Sequence, residues 1–246
     1  MRRILQASAM VVLALLWMAD GLWAAEVEKS AEAAVGIFSN YVWRGQKLSE
    51  EAVVQPTAGL NYGGFGANLW LNYDTDLEEA TETDVTLNYG ISIEKLSLEA
   101  GYIYYALDSV ADTQEFYMTV GYEMPLNPSL TFYYDFDEGT GGYLVLALSQ
   151  DFPLMDKLTL NLGASAGVNF ENAILGTDSQ GDEFTGFYNG EIKASLTYAL
   201  TENLTVEPVV AYSFPLSDDA ETAIEGLSYD GDSDIFYGGV NVTLSF

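Results

Sequence analysis

Apolar and polar positions alternate along most of this chain with a period of two. In the stretch "LTLNLGASAGVNF", Leu158, Leu160 and Leu162 alternate with polar or small residues. This pattern predicts β-strands with one apolar face and one polar face, because successive side chains of a strand point to opposite sides of the sheet. Beyond residue 26 no long stretch keeps the apolar period of an amphipathic helix.

About twelve such strands are predicted, each near the length that crosses a membrane obliquely. The connections alternate between short turns such as "MPLNP" and longer, acidic links such as "PLSDDAETAIEGLSYDGDSD". Short turns at one end and long loops at the other are typical of outer-membrane barrels. The sequence therefore predicts an all-β fold, a transmembrane antiparallel up-and-down β-barrel. The predicted strands cover residues 34–45, 52–62, 65–74, 82–91, 95–106, 113–124, 128–136, 142–151, 157–170, 184–199, 203–214 and 235–246.

A soluble β-sandwich or barrel would also show alternation, but the polarity of the two faces argues against it. The non-apolar face carries charges in mid-strand, at Glu99, Glu191 and Lys193 among others. Aromatic residues of the apolar parity gather near both ends of the strands, as two membrane interfaces select. The turn-end belt is predicted to hold Tyr62, Phe65, Tyr89, Tyr122, Tyr198 and Phe246, and the loop-end belt Tyr41, Trp43, Tyr73, Phe116, Phe136, Tyr212, Phe214 and Phe236.

The first residues have the layout of a secretory signal peptide. Arg2 and Arg3 precede an apolar run, and small residues follow at Ala24 and Ala25. The run is too short to span a bilayer as a helix. We therefore expect a signal peptide over residues 1–25 and an outer-membrane β-barrel domain over residues 26–246.

Composition excludes two classes of function. The formal net charge of -29 would repel nucleic acid over the whole surface. The chain has neither His nor Cys, so the usual acyl-transfer arrangements cannot be assembled, and no spacing singles out a Ser–Lys pair or a carboxylate dyad. We expect a protein that is not an enzyme, has no cofactor and contains no dedicated metal site.

The parity of each strand also predicts which side chains face the lumen. Acidic residues dominate this face, so cations should be concentrated and anions excluded. Lys193 is expected to pair with Glu191 and Glu207, and Arg44 to anchor the first loop to neighbouring acids. The predicted pore-lining residues are Arg44, Glu99, Glu115, Glu123, Asp135, Glu191, Lys193 and Glu207. An aromatic collar near the loop ends, which either narrows the mouth or packs against inward-folded loops, is predicted from Tyr105, Tyr117, Tyr133, Tyr143, Phe187 and Tyr237.

The segment "VGIFSNYVWRGQKLSEEAVVQP" resembles the opening of the TorF-type porin family of Gram-negative outer-membrane proteins. The matching residues are Ser39, Tyr41, Arg44, Gly45, Gln55 and Pro56. The resemblance implies a channel-like protein of the outer membrane whose solute is undefined. From this location we expect contact with lipid and lipopolysaccharide. The ending on Phe246, after alternating apolar positions, also resembles the signal by which the barrel-assembly machinery recognises its substrates.

Two functions remain open at this point. The first is a porin-like channel for passive diffusion of small solutes, with a preference for cations. The second is a closed structural barrel whose acidic extracellular loops bind a surface partner or divalent cations. The segment "DGDSD" places Asp230, Asp232 and Asp234 at alternate positions but lacks the later ligands of a calcium loop.

Overall fold

Twelve antiparallel strands close into a barrel in the computed structural model, which describes residues 29–246. Each barrel strand pairs with the barrel strands before and after it in the chain, and the first strand closes the ring against the last. The predicted up-and-down barrel of about twelve strands is therefore confirmed. The predicted signal peptide lies outside the described residues.

The first barrel strand, predicted over residues 34–45, begins and ends earlier in the chain than predicted, whereas the boundaries of the other eleven agree with the prediction within about four residues. The barrel strands are β1 (Lys29–Phe38), β4 (Val53–Tyr62), β5 (Phe65–Asp74), β6 (Glu79–Ile93), β7 (Leu96–Leu107), β8 (Thr113–Tyr122), β9 (Ser129–Asp135), β10 (Gly142–Met155), β11 (Leu158–Phe170), β12 (Thr185–Ala199), β13 (Leu204–Pro215) and β14 (Ile235–Ser245). Both Lys29 and Phe246 lie at the end with short turns, which we call the turn end. The opposite end, with the long connections, is the loop end.

The outer surface is apolar and carries aromatic side chains near both rims. Phe65, Tyr122 and Phe246 are exposed at the turn end, and Phe116 and Phe236 at the loop end. Exposed leucine, isoleucine and valine residues lie between them. Exposing so large an apolar surface to water is unfavourable, whereas lipid chains can cover it, so the surface fits a membrane environment.

The first connection folds into the barrel, which the sequence did not predict. The barrel strand ends at Phe38, whose partners are Val53 and Gly239. The chain then forms a small hairpin from β2 (Val42–Trp43) and β3 (Gln46–Lys47). We call residues 40–51 the plug. Tyr41 and Trp43 were predicted to face lipid; instead Tyr41 is buried and Trp43 packs against the internal core.

Two helical segments lie at the loop end and contact the plug. A 3-10 helix (Ala173–Leu175) follows β11, and helix α1 (Asp218–Leu227) follows β13. Ser217 caps α1 by accepting a hydrogen bond from the Ala220 amide at 3.2 Å. The helices and the wall form a core around Tyr143, Leu175, Phe184, Tyr188, Ala220, Ala223 and Ile224. Within residues 29–246, neither helix is long and apolar enough to cross a membrane.

A β-bulge in β12 reverses one predicted orientation. Val168 of β11 pairs with Phe187, whereas Ala166 pairs with Gly190, so one extra residue is inserted in β12. Phe187, predicted to face the lumen, is 62% exposed on the outer surface, and Tyr188 is completely buried inside. The bulge thus turns Phe187 outward and Tyr188 inward, the reverse of the predicted orientations.

Candidate functional site: the barrel interior

A buried ion pair holds the tip of the plug to the barrel wall. The Arg44 guanidinium donates two hydrogen bonds to the Glu115 carboxylate, each 2.7 Å long. The side chains of Arg44 and Glu115 are 8% and 0% exposed. Burial by itself lowers the pKa of Arg44, but the adjacent carboxylate raises it above its usual range, so the guanidinium stays charged. Two parallel bonds of this kind fix orientation as well as distance.

Three aromatic rings surround the same guanidinium. Its central carbon lies 4.4 Å from the ring centroid of Trp43 and 4.6 Å from those of Tyr133 and Tyr143. The planar cation is attracted to the negative faces of these rings, and more strongly so where water is excluded. Tyr133 and Tyr143 of the predicted collar therefore pack against the plug, as one of the two alternatives for the collar expected.

The rest of the plug contacts the far wall and the connection that contains α1. Gln46 donates to the Tyr188 hydroxyl at 3.2 Å, and that hydroxyl donates to the Leu175 carbonyl at 2.9 Å. Lys47 pairs with Asp230, and the hydrogen bond from Lys47 lowers the pKa of that carboxyl. Asp230 therefore binds a lysine of the plug in this structure.

Gly45 is required at the tip of the plug for two reasons. Its φ of +87° is rarely adopted by other residues. A Cβ atom there would also lie 2.8 Å from Cβ of Asn189 and 3.2 Å from a methyl group of Ile224. The backbone of the plug thus lies directly against the wall and α1.

Tyrosine hydroxyls donate hydrogen bonds to interior carboxylates and to one amide. Tyr105 donates to Glu115 at 2.8 Å and Tyr117 to Glu99 at 2.7 Å. Tyr237 donates to Glu191 at 2.8 Å, and Tyr143 donates to Asn189 at 2.7 Å. Of the six predicted collar residues, Phe187 is the one that the structure places outside.

The predicted acidic residues fall into three groups. Glu115 and Asp135 are both fully buried, and Asp135 accepts bonds from Thr113 and from the amides of the next connection. Glu123 lies exposed beyond the end of β8, at the turn-end rim. Only the remaining three acids, Glu99, Glu191 and Glu207, are inward-facing and incompletely buried.

Lys193 does not form the predicted ion pair. The hairpin register places Ala211 opposite Lys193, while Glu207 lies further along the wall and accepts a 2.6 Å hydrogen bond from Ser195. No carboxylate oxygen of residues 29–246 lies within 4.0 Å of its ammonium nitrogen. The prediction that Lys193 is neutralised by Glu191 and Glu207 was therefore wrong.

Glu82 and Asp84 are interior acids that were not among the predicted pore-lining residues. Both face inward beside the plug, and one oxygen of Asp84 is buried without a hydrogen-bond partner. Tyr41 of the plug is buried against them, and burial, followed by these two carboxylates, raises the pKa of its hydroxyl. The alternation of the sequence could have placed both acids in the lumen, because they share the parity of the polar residues Thr86 and Asn88 in β6.

A cavity of about 260 Å³ remains between the plug and the wall opposite Glu115. Glu191, Lys193 and Tyr237 line it from β12 and β14, and Tyr41 and Trp70 line it from the plug and β5. A second depression, of about 620 Å³, opens at the turn end near Glu99. The plug thus narrows the interior at the loop end, and the second depression lies at the turn-end rim.

Solved structures share this fold. The NanC porin has a TM-score of 0.53 and 12% identity, over 88% of this chain and 98% of that one. An outer-membrane channel from Pseudomonas putida F1 has a TM-score of 0.50 and 10% identity, over 91% and 97%. No family model and no curated protein matches the sequence, so the resemblance to TorF-type porins stays a prediction. At these identities the similarity concerns the fold alone: it is that of outer-membrane porins and channels.

Proposed function

We propose that this protein is a channel of the Gram-negative outer membrane for passive diffusion of small solutes, with a preference for cations. The observation that carries the proposal is the charge of the interior. Glu99, Glu191 and Glu207 face the lumen against Lys193, which is unpaired within residues 29–246, whereas Arg44 is neutralised by Glu115. Carboxylates in a narrow, low-dielectric passage concentrate cations and exclude anions.

The proposed path runs beside the plug. It enters through the cavity next to Tyr41 and Lys193, passes Glu207, and leaves through the depression near Glu99. The wall between these points carries small or hydroxylated side chains such as Ser165 and Ser195. Such side chains leave room that larger ones would fill.

Ion selectivity gives the direct test. We expect reversal potentials under a salt gradient in planar bilayers to show a cation preference, which weakens at high salt as the field is screened. Replacing Glu99 and Glu207 together with Gln should reduce that preference, because both carboxylates face the path. Glu202→Gln, in an exposed turn at the same end, is the matched control and should leave selectivity unchanged. An anion preference in the unmodified protein would contradict the assignment.

A closed structural barrel is the second candidate, and the plug is the observation that favours it. Its ion pair, its aromatic contacts and α1 together fill the loop end. Single-channel recording separates the two functions, because a closed barrel inserted in the bilayer passes no current. Insertion is checked independently by resistance to protease and by compact migration on gels before boiling.

The remaining partners follow from the proposed location. We propose that the exposed apolar belt contacts lipid, and that the acidic loop end faces lipopolysaccharide, whose phosphates would be joined to the loops by divalent cations. We also propose that Phe246, 70% exposed at the end of the last strand, contributes to recognition by the barrel-assembly machinery.

A further inference from the structure

The cavity beside the plug combines two opposite charges on one strand face. Glu191 and Lys193 are two residues apart on β12, which places their Cα atoms roughly 6–7 Å apart. Both side chains line the same cavity. A ligand lying along this stretch of β12 would meet a carboxylate at one end and an ammonium at the other.

Glu191 and Lys193 differ in the hydrogen-bond and ion-pair partners that the protein gives them. Glu191 accepts one hydrogen bond, from Tyr237 to Oε2, and its Oε1 accepts none from the described side chains. Lys193 has no carboxylate within salt-bridge distance in the described part of the chain. Lys193 is exposed to the lumen, so a carboxylate from outside can reach its ammonium.

The remaining walls restrict the ligand further. Trp70 and Tyr41, whose rings lie 5.4 Å apart, and Phe38 supply apolar surface, while Gln55 and Asn241 supply amides. The volume of about 260 Å³ is below the range of about 300–1,000 Å³ usual for sites of drug-sized molecules. The ligand must therefore be small, carry both charges, and have an apolar part.

We propose that this cavity binds a small zwitterion, an α-amino acid with an apolar side chain. Its carboxylate would accept from Lys193, its ammonium would donate to Glu191 Oε1, and its side chain would contact Trp70. The inference rests on the proposed channel function in that the zwitterion is a solute of the path. The site would add a step to that function: the channel would bind a specific class of solute, which general diffusion does not require.

Binding is tested in detergent, without reference to conduction. The intrinsic tryptophan fluorescence, to which Trp70 in the cavity wall contributes, should change when L-leucine is added to the purified protein. L-leucinamide, which lacks the carboxylate, and N-acetyl-L-leucine, which lacks the ammonium, should each bind about tenfold more weakly. Lys193→Gln should weaken the binding of leucine about tenfold and leave the binding of leucinamide unchanged. Glu191→Gln should also weaken the binding of leucine about tenfold, but leave the binding of N-acetyl-leucine unchanged. Lys157→Gln, an exposed lysine at the turn end, is the control.

Each other outcome overturns the inference in a different way. Equal binding of N-acetyl-leucine and leucine would make this an anion site, and equal binding of leucinamide would make it a cation site. No fluorescence change with leucine would mean no zwitterion site. The channel function is judged separately: a protein that conducts but does not bind leucine disproves this inference alone. A protein that binds leucine but never conducts disproves the channel and leaves the site.

Discussion

Arg44→Met is expected to lower the free energy of unfolding by about 3–5 kcal/mol, because it leaves the fully buried Glu115 carboxylate without its counter-charge. It should also increase the current, since the tip of the plug loses its strongest contact with the wall. The measurements are urea unfolding in lipid vesicles and single-channel recording of the same preparation.

Two comparisons isolate the buried charge as the cause. Lys47→Met removes the other ion pair of the plug, whose side chains are 17% and 34% exposed, and should cost only about 0–1 kcal/mol. A triple variant, Arg44→Met with Glu115→Leu and Tyr105→Phe, removes both charges and the hydroxyl that Glu115 accepts from. It should recover most of the lost stability, because an apolar replacement of a buried pair is often neutral. A loss as large as that of the single variant would contradict this account.

Deleting the plug is expected to give the largest change in conductance. Phe38 and Val53 are paired across β1 and β4, so residues 39–52 can be replaced by a short turn without altering the barrel register. The loop end would then lose Trp43 and Arg44 from its centre, and we expect a several-fold higher single-channel conductance. Cation preference should persist, because Glu99, Glu191 and Glu207 remain.

The matched control shortens a connection that lies outside the barrel. Residues 108–111, between β7 and β8, are exposed and contribute nothing to the internal core. Their removal should leave conductance unchanged. If both deletions leave the conductance unchanged, the constriction is not formed by the plug. If the plug deletion still passes no current, the closed-barrel function is favoured.

The barrel could be predicted from the sequence because lipid imposes a strict rule on every strand. Each outward position must be apolar, so alternation marks strands, and the phase of the alternation separates Glu99 from Leu98. The inward turn after Phe38 could not be found in this way. Tyr41 and Trp43 continue the apolar parity of β1, and only the end of pairing at Val53 and Gly239 shows where the chain leaves the sheet.

Two other features of the structure could not be predicted from the sequence, for different physical reasons. The bulge at Tyr188 shifts the phase by one residue, and two adjacent aromatic residues fit either phase equally well. The missing partner of Lys193 depends on hairpin register, which places Ala211 where an acid was expected. Helix α1 was detectable, since Ser217 is followed by acids in its first turn.

The plug lies early in the chain but contacts parts that are synthesised much later. Arg44 reaches Glu115 across 71 residues, Gln46 reaches Tyr188 across 142, and Lys47 reaches Asp230 across 183. Closing such long loops is entropically unfavourable until the intervening strands are paired. The interior can therefore be filled only when most of the wall exists, so seating of the plug is a late step of folding. A growing barrel, with its edge strands still unpaired, would be hollow.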